Sequence, residues 1–170
     1  MPITFEMTKY KANPDANWVV KYPNMRGIMS CMVLFMDCCC GSGIGSAGLR
    51  SIGLNPLAFD HDQALLSLGF AQGRLDPCET ACIDATMASA YFEPAPYGAA
   101  LMLGTIHSFD REIWEGIARE FLSLSERSLL TVATKEEMDL VAAWCEDEGR
   151  NPEVWENERD AVYDRWVCLT

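Results

Sequence analysis

From Met32 to Cys38 the chain is almost wholly apolar and runs into a glycine-rich stretch, the pattern of a central parallel strand buried on both faces. Ser46 to Ile52 reads as a short helix, which Asn55-Pro56 ends. Leu57 to Asp60 reads as a second strand closed by the acidic group Asp60-His61-Asp62, and Gln63 to Gln72 as a second helix. A third strand is expected over Ala81 to Ala85 and a fourth over Ala99 to Leu103. Arg111 to Leu124 sets Ile113, Trp114, Ile117, Ala118, Phe121 and Leu122 on one face at helical spacing, with Glu112, Glu115, Arg119 and Glu120 mostly outside. Leu129 to Ala133 follows as a fifth strand and Lys135 to Asp147 as another amphipathic helix. Glu153-Val154-Trp155 with Ala161 to Leu169 reads as a closing hairpin.

Strand alternating with helix five times predicts an α/β fold, a mainly parallel sheet with helices on both faces, and the final strand pair predicts an antiparallel hairpin at its edge. At 170 residues the chain has the size of one globular domain, read over residues 31–170 behind an N-terminal arm of residues 1–30. The net charge of −12 argues against nucleic acid as a partner, because phosphate contacts demand a cationic face. The charge is uneven. The arm carries Lys9, Lys11, Lys21 and Arg26 against Glu6 and Asp15, so it is +2 and the remainder −14. Such an arm is expected to dock, either on the body, where it could cap a ligand mouth, or on a partner protein. The most apolar stretch, Ile28 to Phe35, is broken by Ser30 and falls far short of the roughly 20 residues of a membrane span. Without a basic region followed by an apolar run at the N-terminus, a cytoplasmic location is the expectation.

Chemistry concentrates where the first strand meets the first helix. In Asp37-Cys38-Cys39-Cys40-Gly41-Ser42-Gly43-Ile44-Gly45 a glycine turn lets backbone approach a ligand and aims helix N–H groups at it. A side chain at Gly43 is expected to fill space the ligand needs. Asp60, at the end of the second strand, offers two acceptor oxygens in the geometry a vicinal diol presents, and Asp84 could accept from an adenine amino group. The turn lacks the Gly-x-Gly-x-x-Gly spacing of nucleotide-binding dehydrogenases, since position 46 is Ser.

In these residues the chain resembles the class I S-adenosylmethionine-dependent methyltransferases, a Rossmann-like superfamily. Asp37, Gly41 and Gly43 match its first motif, with Cys39 where the first glycine usually stands. Asp60 matches the ribose-binding acid, with His61 beside it, and Ile83-Asp84-Ala85 is similar to the segment that cups adenine. Leu103-Gly104-Thr105-Ile106-His107-Ser108-Phe109-Asp110 is similar to the loop after the fourth strand. The resemblance implies S-adenosylmethionine as cofactor, held by Asp37, Cys39, Gly41, Gly43, Asp60, His61, Asp84, Ala85 and Gly104. It also implies methyl transfer to a small molecule or a protein side chain.

Departures refine this expectation. The fourth-strand loop lacks both the Asn/Asp-Pro-Pro-aromatic signature of adenine methylation and the Pro-Cys nucleophile of cytosine-5 enzymes. Ala99 and Ala100 replace an acid that often begins the fourth strand. His107 is the candidate general base, since an imidazole can accept a proton from an incoming nucleophile, and the alternative is a loop histidine bonded only locally. A second reading of the whole is a methyltransferase-like domain without catalysis, serving as a binding subunit of a larger assembly. Cys38 to Cys40 are expected as reduced apolar fillers, not metal ligands, because adjacent strand residues point to alternate faces. Asp62 is expected to cap the second helix.

Overall fold

The computed structural model describes residues 34–170. The arm over residues 1–30 and the start of the expected first strand lie outside the described residues. In chain order the elements are β1 (Phe35–Cys38), α1 (Ile44–Ser51), β2 (Pro56–Asp60), α2 (Gln63–Ala71), β3 (Thr80–Cys82), a 3-10 segment (Ala85–Ala90), β4 (Ala95–Ala100), α3 (Arg111–Leu124), β5 (Ser125–Val132), α4 (Lys135–Asp147), β6 (Glu153–Glu156) and β7 (Trp166–Leu169). They build a seven-stranded sheet in the order β3-β2-β1-β4-β5-β7-β6. The first five strands are parallel, and β7 and β6 close the sheet as an antiparallel pair. The strand order reverses between β1 and β4, which opens a crevice at their carboxyl ends.

Register fixes which face each helix covers. A Cβ on Gly98 of β4 would lie 2.6 Å from Phe121, so Gly98 faces α3. Met36 pairs with Gly98 and Asp37 with Ala99, which puts Asp37 on the opposite face, where Ser46 of α1 donates to its carboxylate. Ala58 pairs with Asp37 and packs with Leu66 of α2. Thus α1 and α2 lie on one face and α3 and α4 on the other. The larger core, with Met36, Phe59, Phe121, Leu130, Met138 and Trp144, fills the α3–α4 side. Each such side chain contributes roughly 1.5–3 kcal/mol by leaving water.

Several expectations are corrected, among them the fifth strand, which begins at Ser125 and not at Leu129. β3 ends at Cys82, not Ala85, because Asp84 accepts from the Thr86 amide at 2.9 Å and its hydroxyl at 2.7 Å and turns the chain into the 3-10 segment. That segment replaces one of the five expected strand–helix alternations. β4 begins at Ala95 and ends at Ala100, so Ala99 and Ala100 close the strand and do not begin it. Pro96 and Gly98 read as breakers locally, yet Gly98 is what lets Phe121 approach. The expected strand from Ala161 is a loop as far as Trp166, since the Asp160 carboxylate accepts from the amides of Val162 and Tyr163. Ile113, assigned to the buried face of α3, is exposed.

α4 opens with reciprocal capping. The Thr134 hydroxyl accepts from the Glu137 amide at 3.2 Å, and Glu137 Oε2 accepts from the Thr134 amide at 2.9 Å. Glu137 Oε1 also accepts from the Ile106 amide at 3.0 Å, so the same cap steadies the loop after β4. Thr134→Ala is expected to lower stability by about 1–2 kcal/mol in urea unfolding. An unchanged midpoint would mean the cap is idle.

Candidate functional site

The turn from β1 into α1 needs left-handed backbone at three positions, Cys39 (φ 56°), Gly41 (φ 53°) and Gly43 (φ 74°). Glycine adopts this without a Cβ penalty, whereas a cysteine carries roughly 1–2 kcal/mol of strain. Cys39 therefore stands where the backbone favours glycine. The turn is fixed by the Gly43 amide donating to the Cys40 carbonyl at 2.8 Å and the Cys40 amide to the Phe59 carbonyl at 3.1 Å. Gly43 caps α1 without a side chain, leaving the first-turn N–H groups directed at the carboxyl end of the sheet.

The two glycines differ. A Cβ on Gly41 would have Leu65 at 3.9 Å, but one on Gly43 would lie 2.5 Å from Leu75. The space beside Gly43 is filled by Leu75, which corrects the expectation that a ligand needs it. Gly104 is similar, with a Cβ there 2.8 Å from Trp114.

Two carboxylates flank the turn. Asp37 is buried, and Ser46 donates to its Oδ2. Burial pushes its carboxyl up to about 6, against the opposing pull of the Ser46 hydrogen bond and the Arg50 charge. Asp60 Oδ2 accepts from the Gly41 amide and Oδ1 from the Asp62 amide, both at 2.8 Å. Each oxygen keeps a further lone pair. His61 places Nδ1 3.6 Å from Asp60 Oδ1, with its ring largely in solvent. Asp62 caps α2 by accepting from the Ala64 and Leu65 amides. The Ile83 amide donates to the Asp60 carbonyl at 3.0 Å and so sets Asp84 and the buried Ala85 at the end of the neighbouring strand.

The structure thus brings Asp37, Cys39, Gly41, Asp60 and His61 together, with Asp84 and Ala85 next to them. His107 lies on the loop between β4 and α3, exposed and stacked on Phe109 at 5.1 Å. Its amide, not its ring, donates to Asp110 at 2.7 Å. Sequence reasoning missed Ser46, Leu75 and the tie that starts this loop. There Met102, at φ 52°, donates its amide to Thr131 Oγ1 at 2.8 Å and Asp164 Oδ1 at 3.0 Å. Those partners are distant in sequence, and only the Thr-x-x-Glu pattern at Thr134 and Glu137 signals its own role locally.

Burial pushes the Cys40 thiol up, and the seven described cysteines are free thiols. Among the described residues no group of three or more His, Cys, Asp or Glu side chains could hold a metal ion, and no helix is long and apolar enough to cross a membrane.

No family model matches the chain, and the curated proteins hold no match to it. Solved structures do match. Magnesium protoporphyrin IX methyltransferase from Synechocystis PCC 6803, with bound SAM, is 18% identical at a TM-score of 0.63 over 81% of this chain and 69% of that one. Ribosomal protein L11 methylase from Lactobacillus delbrueckii subsp. bulgaricus is 13% identical at 0.61, over 84% and 70%. An rRNA methylase from Streptococcus thermophilus is 14% identical at 0.58, over 81% and 85%. The chain has the class I methyltransferase fold. In that fold the Asp37–Gly45 turn lies at the carboxyl end of β1, beside the switch point, and Asp60 at the carboxyl end of the neighbouring β2.

Gly43→Val should unfold or strongly destabilise the protein, by about 3 kcal/mol or more, since it combines a 2.5 Å clash with left-handed backbone on a branched residue. Thermal melting decides, and a variant that melts like the parent would contradict the packing role. Asp37 gives a pH signature. Its folded pKa of about 6 exceeds the ordinary 3.8, so the protonated group favours the folded chain below about 3.8 and this contribution is lost as pH rises through 6. Asp37→Asn should therefore gain about 3 kcal/mol over the parent near pH 8 and nothing near pH 4. A difference that is constant across that range would refute it.

Proposed function

We propose that the chain binds S-adenosylmethionine at the carboxyl ends of β1 and β2 and transfers its methyl group to a small molecule or a protein side chain. The observation that carries this reading is the Asp60 carboxylate, pinned by the Gly41 and Asp62 amides with one acceptor direction left on each oxygen. Two such acceptors suit the two hydroxyls of a ribose. The open approach over Gly41 suits a ligand lying across the turn. Asp37, buried and costly to ionise, gains from a cation nearby, which suits the positively charged methionine end. Asp84 spends Oδ1 on Thr86, and its Oδ2 can face an adenine amino group.

S-adenosylmethionine supplies a methyl group on a sulfonium centre, ready for in-line attack. The chain's own residues do the rest. Asp60 and the turn fix the adenosyl end, and the loop after β4 presents the acceptor, held at its root by Thr131 and Asp164 and further on by Glu137. His107, exposed on that loop, takes the acceptor's proton on its imidazole ring. Support for the reading also comes from the matching structure solved with SAM bound. Methylation of a base in nucleic acid fits less well, given the net charge of −12.

Titration calorimetry with S-adenosylmethionine tests the reading. Saturable one-to-one binding is expected, weakened on the order of 30- to 150-fold in Asp60→Ala, the loss of about 2–3 kcal/mol of charge-assisted hydrogen bonding. His107→Ala should keep that affinity while turnover falls about 10²- to 10⁴-fold. Absence of binding at millimolar cofactor would replace the enzyme with the non-catalytic scaffold.

A further inference from the structure

Strand alternation would turn neighbouring Cys38 and Cys39 to opposite faces of the sheet. The left-handed backbone at Cys39 breaks that alternation, and the two sulfurs lie 3.8 Å apart, the Cys38 thiol donating to Cys39 Sγ. Cys38 is buried in the larger core with Met36 and Phe59, while Cys39 packs against that core and is only half-buried. Cys40 diverges toward α2 and packs with Ala58 and Leu66. The turn thus holds one sulfur that solvent reaches, in contact with one that it does not. No other described cysteine combines these features. Cys78 is exposed, Cys82 is buried, and Cys145 of α4 and Cys168 of β7 meet each other but are both 0% exposed.

Position couples this pair to the ligand seat. The Cys40 amide donates to the Phe59 carbonyl at 3.1 Å, and the Gly41 amide, two residues after Cys39, donates to Asp60 Oδ2 at 2.8 Å. Drawing the sulfurs from 3.8 Å to a bonded distance of about 2.05 Å closes a ring through the Cys38–Cys39 peptide. The backbone takes up that movement at Cys39, whose left-handed conformation is the one a side chain disfavours. Rotation there swings the Gly41 amide off Asp60. Cα atoms joined by one peptide are about 3.8 Å apart, inside the roughly 4.4–6.8 Å of ordinary disulfides, so such a bond is strained and readily reduced by thiols.

We propose that Cys38 and Cys39 are an oxidation site for hydroperoxides, and that their disulfide breaks the Gly41–Asp60 tie and closes the cofactor site; this second half rests on the cofactor reading given above. Cys39, as thiolate, attacks the peroxide O–O bond, forming an S–O bond and releasing an alkoxide or hydroxide that takes up the proton Cys39 gave. Cys38 sulfur then attacks the sulfenic acid, the S–S bond forms, and the Cys38 proton leaves with the oxygen as water. One hydroperoxide is reduced and two thiols are oxidised. Cys38 keeps its proton until that step, because its thiol is pushed up by its hydrogen bond to Cys39 and by burial.

The test is to treat the full chain with a slight excess of hydrogen peroxide, map its cysteines by mass spectrometry and follow the Gly41 and Asp62 amides by NMR. A Cys38–Cys39 disulfide should form, both amide resonances should move, and dithiothreitol should reverse both changes. Affinity for S-adenosylmethionine should fall about tenfold or more on oxidation, the loss of one hydrogen bond to a charged group, and return on reduction. Cys38→Ala should stop at a sulfenic acid on Cys39 that dimedone traps. Cys39→Gly, which suits the left-handed backbone, is the second variant and should form no disulfide in the turn. Oxidation confined to Cys78, a bond from Cys39 to Cys40, or a Cys38–Cys39 bond that leaves the Gly41 and Asp62 amides in place overturns the proposal. A reduced protein that does not bind S-adenosylmethionine counts against the cofactor reading instead, and the mass and amide readings still decide the oxidation site.

Discussion

The Asp60 carboxylate accepts one N–H from each side, Gly41 in the turn after β1 and Asp62 at the start of α2, and so ties together the ends of two neighbouring strands. A carboxylate is suited to this because it can satisfy two backbone donors and still present two lone pairs outward. Without it the Gly41 amide would lack a partner in a turn already committed to left-handed backbone at Cys39, Gly41 and Gly43. The residues around the turn then follow. Leu75 fills the space that Gly43 leaves, and Ser46 meets the buried Asp37 from α1.

This construction gathers negative charge where water is scarce. Asp37 lies on the strand beside Asp60, and the Asp60 charge adds to the burial that holds its carboxyl up. Ser46 and Arg50 offset only part of that. The Asp37 carboxylate therefore carries an electrostatic cost, which links stability and pH in one group and which a further cation brought near it would reduce.

Much of this was legible in the sequence because it is local. The bounds of α3 and α4 follow from 3.6-residue periodicity, and both agree with the structure to the residue. The positions of Asp37 and Asp60 were readable because each stands at the end of an apolar strand and is followed by glycines or a capped helix. The span of β4 was not readable: Pro96 and Gly98 look like a break until Phe121 of α3 is seen resting on Gly98. Nor was the purpose of Gly43, which depends on Leu75, or the left-handed Met102, whose amide is held by Thr131 and Asp164 from β5 and the loop before β7. His107 shows the limit from the other side, since its position in the loop was readable while its stacking on Phe109 was not.

The proposed seat for a ligand with two neighbouring hydroxyls is the Asp60 carboxylate. Backbone amide NMR during titration with S-adenosylmethionine tests it most directly, because the Gly41 and Asp62 N–H groups donate to that carboxylate. These two resonances are expected to shift saturably and together. Saturation of shifts elsewhere in the protein while both stay in place would contradict it.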